Sequence, residues 1–448
     1  MTDAEGATSC WCELAWLGGE RVEPGVVIEV EGERIDSLTT GIASPPPDAV
    51  RLQGITIPGL ANAHSHAFQR ALRGRTHGGG GSFWTWREQM YRTAATLDPD
   101  AYRALARATF GEMALAGITT VGEFHYLHHG PDGSPYADPN AMGNAVIQAA
   151  AEAGIRITLL DACYLRGGIG EELDDVQRRF SDGSAESWAE RIDALGEGSG
   201  VRVGAAIHSV RAVGPDDAAV VAEWAAAHSR PLHAHVSEQP AENDACLEAY
   251  GLTPMALLEG AGALSDRFTA VHATHLADPD LELLRGGGVT CCLCPTTERD
   301  LGDGIAPARR LVEAGARLSL GSDSHAAIDM FEEARAVELD ERLVSGTRGV
   351  HRAADLLRAA TENGHASLGW PQAGRLATGA LADFATVSTE SVRLAGVESD
   401  GTIESLVFAA APSDVRHVVI GGRFVVRDGA HVGLDVPRDL QAALARVP

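Results

Sequence analysis

Four side chains in this sequence have the types and spacing to hold one metal cation: His64, His66, His235 and Asp323. His64 and His66 stand at i and i+2 in PGLANAHSH. On a strand such residues share a face, so both imidazoles reach toward one point. His233 and His235 repeat the spacing in PLHAHVSE, with Glu238 three residues further on. His235 is read as the ligand and His233, deeper in the strand, as a packed, hydrogen-bonded histidine. A carboxylate just beyond a metal ligand suits proton transfer, so Glu238 is assigned as the acid/base. His272 ends the run FTAVH and is placed facing the attacking water or the transition state; His275, beyond it, is a supporting residue. Asp323, in LGSDSH, can bind a cation and also accept a proton from its water. Either Asp323 or His272 could take that proton. Three histidines and one carboxylate suit a single divalent ion, with zinc the first choice and a water completing its shell. Zinc would bring the pKa of that water to about 7. Ferrous iron and manganese satisfy the same donors. The chemistry expected is metal-assisted hydrolysis, with catalytic roles for Glu238, His272 and Asp323.

These residues need elements that bring distant parts of the chain together. Eight short apolar runs do so: PGLANAHSH, GITTVGEFHY, IRITLLDA, VRVGAAIHS, PLHAHVSE, FTAVHATH, GVTCCLCP and ARLSLGSDS. Amphipathic segments such as AYRALARATFGEMALAG and DDAAVVAEWAAAH alternate with them. Eight strand-helix units predict an α/β fold of the (β/α)8, TIM-type barrel, with the histidines and acids at the C-terminal strand ends where such barrels carry their sites. The first ~58 residues and the last ~70 instead show short strands and turns, including a hairpin at Gly421-Gly422. The two ends are expected to build one small β-sandwich domain. The predicted division is residues 1–58 and 379–448 for that domain and 59–378 for the metal-dependent barrel. Gly78 to Gly81 lacks the later glycine and lysine of a phosphate loop and reads as a flexible loop or lid.

Composition narrows the classes further. The chain has 448 residues, 45% hydrophobic, with a net charge of −26. Such a charge repels nucleic acid and anionic membranes, so neither is expected as a partner. The N-terminus has no basic n-region and no apolar run is long enough to span a bilayer, which predicts a soluble, cytoplasmic protein. All 36 basic residues are arginine. Seven cysteines without paired CxxC spacing argue against a disulfide framework or a zinc ribbon, and Cys291, Cys292 and Cys294 read as buried core. The clustered His125, His128 and His129 are not expected to form a second metal site, and Trp84 and Trp86 are assigned to a lid or to packing.

The set HSH, HxxE, a sixth-run histidine and an eighth-run aspartate resembles the amidohydrolase superfamily over the whole chain. Some members hold two metals bridged by a carboxylated lysine. A chain without lysine cannot, and it is similar to the mononuclear, deaminase-type branch. More narrowly, HSHAFQRALRG, SFWTWREQMY, EFHYLHH, IHSVRAV, VHATH, CPTTERDLGDG and GSDSH together resemble the deiminase family that hydrolyses N-formimino-L-glutamate in histidine degradation. That resemblance implies a small dicarboxylate substrate, N-formyl-L-glutamate and ammonia as products, and a homodimer. It also implies binding roles for Gln69, Tyr126, His208 and Arg211, the arginine offering a planar fork to a carboxylate. Arg87, in SFWTWRE, is either a ligand of the second carboxylate or a surface arginine at a helix start. Two alternatives on the same barrel are a deaminase of an aromatic base or nucleoside, and a deiminase of a related formimino or guanidino acid. Few aromatics (5%) and the arginines in these motifs favour the acidic substrate.

Overall fold

The computed structural model describes residues 8–78, 81–397 and 399–447. Residues 1–7, on which the reading of the N-terminus partly rested, and Gly79 and Gly80 of the glycine run lie outside them.

All eight expected barrel strands form: β5 (Leu60–Ser65), β6 (Ile118–His125), β7 (Arg156–Cys163), β8 (Val201–Ile207), β9 (Leu232–Val236), β10 (Phe268–His272), β11 (Thr290–Leu293) and β12 (Arg317–Leu320). The terminal strands are β1 (Ser9–Ala15), β2 (Glu23–Glu31), β3 (Arg34–Thr39), β4 (Val50–Pro58), β13 (Phe384–Val387), β14 (Val415–Ile420), β15 (Arg423–Arg427) and β16 (Ala430–His431). Strands β5 to β12 pair in chain order, all parallel. They are largely buried on both faces, as parallel strands covered by helices must be; β6 and β7 are buried throughout. The barrel closes between β5 and the end of β12, where the Asp323 N–H donates to His64 O at 3.0 Å and the His66 N–H to Asp323 O at 3.3 Å. The pairing that closes the barrel thus brings three ligand residues to one place.

The connecting helices start and stop where the sequence punctuates them. Proline opens Pro99–Leu115, Pro215–Ala227, Pro240–Tyr250 and Pro254–Gly260, where its missing N–H costs nothing. Asp98, Ser184, Thr253 and Asp329 cap helix N-termini with side-chain acceptors. Each cap satisfies a backbone N–H of the first turn that would otherwise lack a partner.

The terminal strands make one hydrogen-bonded sheet in the order β16-β15-β14-β13-β4-β1-β2-β3. Its far edge wraps back: Ile35 N donates to Ala380 O at 2.9 Å, and Arg34 bridges to Leu381, just before β13. This closes the expected small β-domain around its own core, which includes Cys10, Ile28, Leu52 and Phe384. Gly421 and Gly422 turn the β14–β15 hairpin with φ of +55° and +73°, the pair of left-handed residues a tight type I′ turn requires. Two helices within 379–448 were not foreseen. Thr402–Ala409 and Val436–Leu444 bury Ile403, Leu406, Val407, Val436 and Ala443, joining the barrel's helical layer rather than the β-domain. No helix among the described residues is long and apolar enough to cross a membrane.

Candidate active site

The barrel mouth concentrates backbone strain. Seven described non-glycine residues have positive φ, and five of them (Ser237, His272, Ala273, Asp323 and His325) follow or end β9, β10 and β12. Such conformations cost about 1–3 kcal/mol each and persist where surrounding structure enforces them, often at sites of chemistry. A shift in the β5–β6 pairing between Asn62 and Ser65 adds a local irregularity at His64, of the kind that re-aims side chains.

His64, His66, His235 and Asp323 meet. His64 Nε2 lies 3.2 Å from Asp323 Oδ1, and His66 Nε2 lies 3.3 Å from the same oxygen. His64 Nε2 and His235 Nε2 are 3.1 Å apart. Bonds of ~2.0–2.1 Å at the tetrahedral angle set ligand atoms about 3.3 Å apart, so these separations match the edges of a zinc coordination shell. The tautomers agree. His66 Nδ1–H donates to Phe124 O at 2.9 Å and His235 Nδ1–H to His208 O at 2.7 Å, leaving both Nε2 lone pairs facing inward. Burial lowers His64 to about 3 and takes His235 well below the ordinary histidine value, so both stay neutral. Burial pushes Asp323 upward, yet His64 and His66 hold its carboxyl well below the usual range. Neutral nitrogens and a carboxylate turned on one another repel unless a cation lies between them, so the donor set fits the metal.

His272 also comes close: its ring and the ligand atoms of His64, His235 and Asp323 lie within 4.8 Å of one another. Its neighbours give it a different role. Glu238 Oε1 is 3.7 Å from its Nε2, and Glu298 Oε1 is 3.5 Å from its Nδ1. Burial lowers it, but Glu238, Glu298 and Asp323 outweigh that and raise it to about 10. Carboxylates facing both of its nitrogens favour the protonated, donor form of this ring. His233 Nε2–H donates to Ser367 O (3.0 Å) and His275 Nε2–H to Asp303 O (2.7 Å), both packed as expected.

One cavity joins the metal cluster to all five expected binding residues; Gln69, Arg87, Tyr126, His208 and Arg211 line it beside His66, His235, Glu238 and Asp323. Gln69 Nε2 donates to Tyr126 Oη at 3.1 Å, while its buried Oε1 has no partner. Arg211 is charge-balanced, with Nη2 at 3.4 Å from Glu238 Oε2 and Nε at 3.8 Å from Glu242 Oε2. Arg87, on the helix Phe83–Thr96, is half-buried and lines the cavity. Trp86 lines the same cavity, whereas Trp84 is 45% exposed and lies under the Arg87 guanidinium.

Several residues of the site escaped the sequence reading. Glu242 sits one helical turn beyond Glu238 and is pushed up to about 7 by burial, against the pull of Arg211. The i, i+4 spacing was the available signal for it. Glu298 lies in the motif CPTTERDLGDG, and Glu123 bonds Ser65 Oγ and Ala67 N at 2.6 Å, bracing the HSH segment. Tyr91, Tyr164 and Gln177 come from helix and loop positions without any spacing signature.

His125, His128 and Asp161 form a second close group. Arg191 already grips both Asp161 oxygens, at 2.8 and 2.9 Å, and Trp188 Nε1 donates to one of them at 2.9 Å. Arg191 and Asp161 thus form a buried ion pair beside the two histidines. Cys292 and Cys294 pack with Ala63 and Val271 inside the barrel, confirming their core assignment.

The barrel, its converging histidines and the adjoining acids define a metal-dependent hydrolase acting on C–N bonds, of the deaminase type. The chain belongs to the amidohydrolase family, which matches residues 55–425. It is 40% identical over 400 residues to formimidoylglutamate deiminase of Pseudomonas aeruginosa, covering 86% of this chain and 87% of that one. It is 29% identical to 5-methylthioadenosine/S-adenosylhomocysteine deaminase of Natronomonas pharaonis over 93% of both chains. Among solved structures, an amidohydrolase from Brucella melitensis superposes with a TM-score of 0.90 at 34% identity, covering 98% of this chain and 99% of that one.

Proposed function

We propose that this protein hydrolyses N-formimino-L-glutamate to N-formyl-L-glutamate and ammonia, a step of histidine degradation, using one zinc ion held by His64, His66, His235 and Asp323. The observation that carries the reading is a cavity with two arginines, Arg87 and Arg211, opening onto one set of metal donors. A substrate with two carboxylates and one hydrolysable amidine carbon matches that division. The 40% identity to formimidoylglutamate deiminase supports it.

The cation supplies Lewis acidity, which makes water a nucleophile near neutral pH. The residues do the rest. Asp323 accepts the proton of the attacking water, because His272, with a carboxylate facing each nitrogen, is already a donor. The formimino group enters as its amidinium, so attack leaves a terminal NH2. Glu238, between His272 and Arg211, takes the proton of the newly added hydroxyl and passes it to that nitrogen, while Asp323 returns its proton to solvent. His272 donates to the oxygen that becomes negative on the tetrahedral carbon. Collapse forms the formyl C=O and expels ammonia, since the terminal nitrogen is the one protonated. His208, Arg211, Tyr126 and Gln69 hold the carboxylate nearer the reacting carbon, and Arg87 the remote one.

The 29% identity to a deaminase of aminopurine compounds supports the rival substrate class. Ammonia release from N-formimino-L-glutamate, N-formimino-L-aspartate, guanine, cytosine and adenosine separates the readings. Turnover highest on the glutamate derivative is expected; turnover on a base or nucleoside alone would overturn the proposal.

A further inference from the structure

We infer that Tyr91 and Tyr164, set by Gln177, complete with Arg87 a subsite for the carboxylate remote from the reacting carbon. This rests on the formimino-dicarboxylate reading above and adds the residues that would select for that second charge.

The argument begins at Gln177, a buried side chain at the start of the turn Gln177–Phe180. The Asp174 backbone N–H, which can only donate, donates to Gln177 Oε1 at 2.9 Å. That fixes the amide oxygen, so Nε2 is the atom facing the two phenols. It donates to Tyr91 Oη at 3.0 Å and to Tyr164 Oη at 3.1 Å. The Gly167 carbonyl, 3.3 Å from Nε2, also draws on its two protons, and since the amide nitrogen cannot accept, each phenolic O–H must find its acceptor elsewhere. The two oxygens are 3.5 Å apart, so at most one proton serves the other ring. At least one phenolic proton is left without an acceptor among the described residues, although Tyr164 is only 5% exposed. Both rings line the cavity that holds Glu238 and His235.

Arg87 adds the charge. Its guanidinium carbon lies 5.3 Å from the Tyr91 ring centroid, over that face, and no described carboxylate pairs with it. Arg211, by contrast, has the Glu238 carboxylate 3.4 Å away on the metal side of the cavity. An uncompensated guanidinium beside a free phenol donor, in a chain of net charge −26, is a built anion site. The compensated arginine suits the carboxylate beside the amidine, and the uncompensated one the remote carboxylate.

Tyr164→Phe and the double variant Tyr91→Phe/Tyr164→Phe test this by kcat and KM on two substrates. These are N-formimino-L-glutamate and N-formimino-L-norvaline, in which a methyl group replaces the remote carboxylate. Losing a hydrogen bond to a charged group should raise KM for the glutamate derivative about ten- to a hundredfold in the double variant, with kcat within about threefold. On the norvaline derivative, variants and wild type should show equal kcat/KM. An unchanged KM on the glutamate derivative, or equal losses on both substrates, would overturn the subsite. A wild type inert toward the glutamate derivative would sink the reaction assigned above; the subsite is then judged by calorimetry with glutarate. Weaker glutarate binding by the double variant Tyr91→Phe/Tyr164→Phe supports it, and unchanged binding overturns it.

Discussion

Replacing Glu238 with glutamine removes one ionisable oxygen from the centre of the site while leaving every metal donor in place. Glu238 lies 3.7 Å from His272 Nε2 and 3.4 Å from Arg211 Nη2, and it is 6% exposed. Glutamine fills the same volume, and Arg211 keeps Glu242 at 3.8 Å, so the fold should survive. What is lost is proton delivery to the leaving nitrogen. General acid/base groups contribute about 10²–10⁴-fold, or roughly 2.7–5.5 kcal/mol of barrier. Steady-state ammonia release, with metal content measured on the same sample, should therefore show kcat down at least a hundredfold at unchanged metal occupancy. Turnover within about threefold of wild type with the metal retained would refute the assignment of Glu238. Loss of metal together with activity would instead place Glu238 among the ligands.

Three further outcomes follow from the geometry. Asp323→Asn removes the carboxylate shared by His64 and His66, and metal analysis should find its occupancy sharply reduced; full occupancy would remove Asp323 from the ligand set. Arg191→Met leaves the buried Asp161 without its guanidinium, and urea unfolding should show a loss of about 3–5 kcal/mol, against almost none if the pair were dispensable. The pH dependence carries a sign. Glu242, raised to about 7, keeps its proton in the folded chain while the unfolded chain releases it above ~4.5, so its stabilising contribution is lost as pH rises from ~4.5 through 7. Glu242→Gln should flatten that part of the stability profile, and parallel profiles for variant and wild type would contradict the burial argument.

The sequence carried the barrel and its metal donors because both follow periodic rules. Buried parallel strands read as apolar runs, and the i, i+2 spacing of His64 and His66 still brings both imidazoles to one place although His66 lies one residue past β5. Asp323 could be matched to them because barrel closure pairs β5 with the end of β12. The remaining residues obey no such rule. Glu298 reaches His272 from a helix beyond β11, and Gln177 reaches two phenols from a turn; their roles come from tertiary approach, not from spacing. Arg87 could not be decided from SFWTWRE, since only the docking of its helix turns it toward the cavity. The helices at Thr402–Ala409 and Val436–Leu444 were overlooked because their neighbours in sequence are strands, while their apolar faces fit the barrel.

The most direct test of the account is a zinc titration of metal-free protein, following ammonia release from N-formimino-L-glutamate. Activity should rise linearly and break at one equivalent of zinc per chain, the stoichiometry that one cluster and a chain without lysine allow. A break at two equivalents, or no ammonia release at saturating zinc, would contradict it.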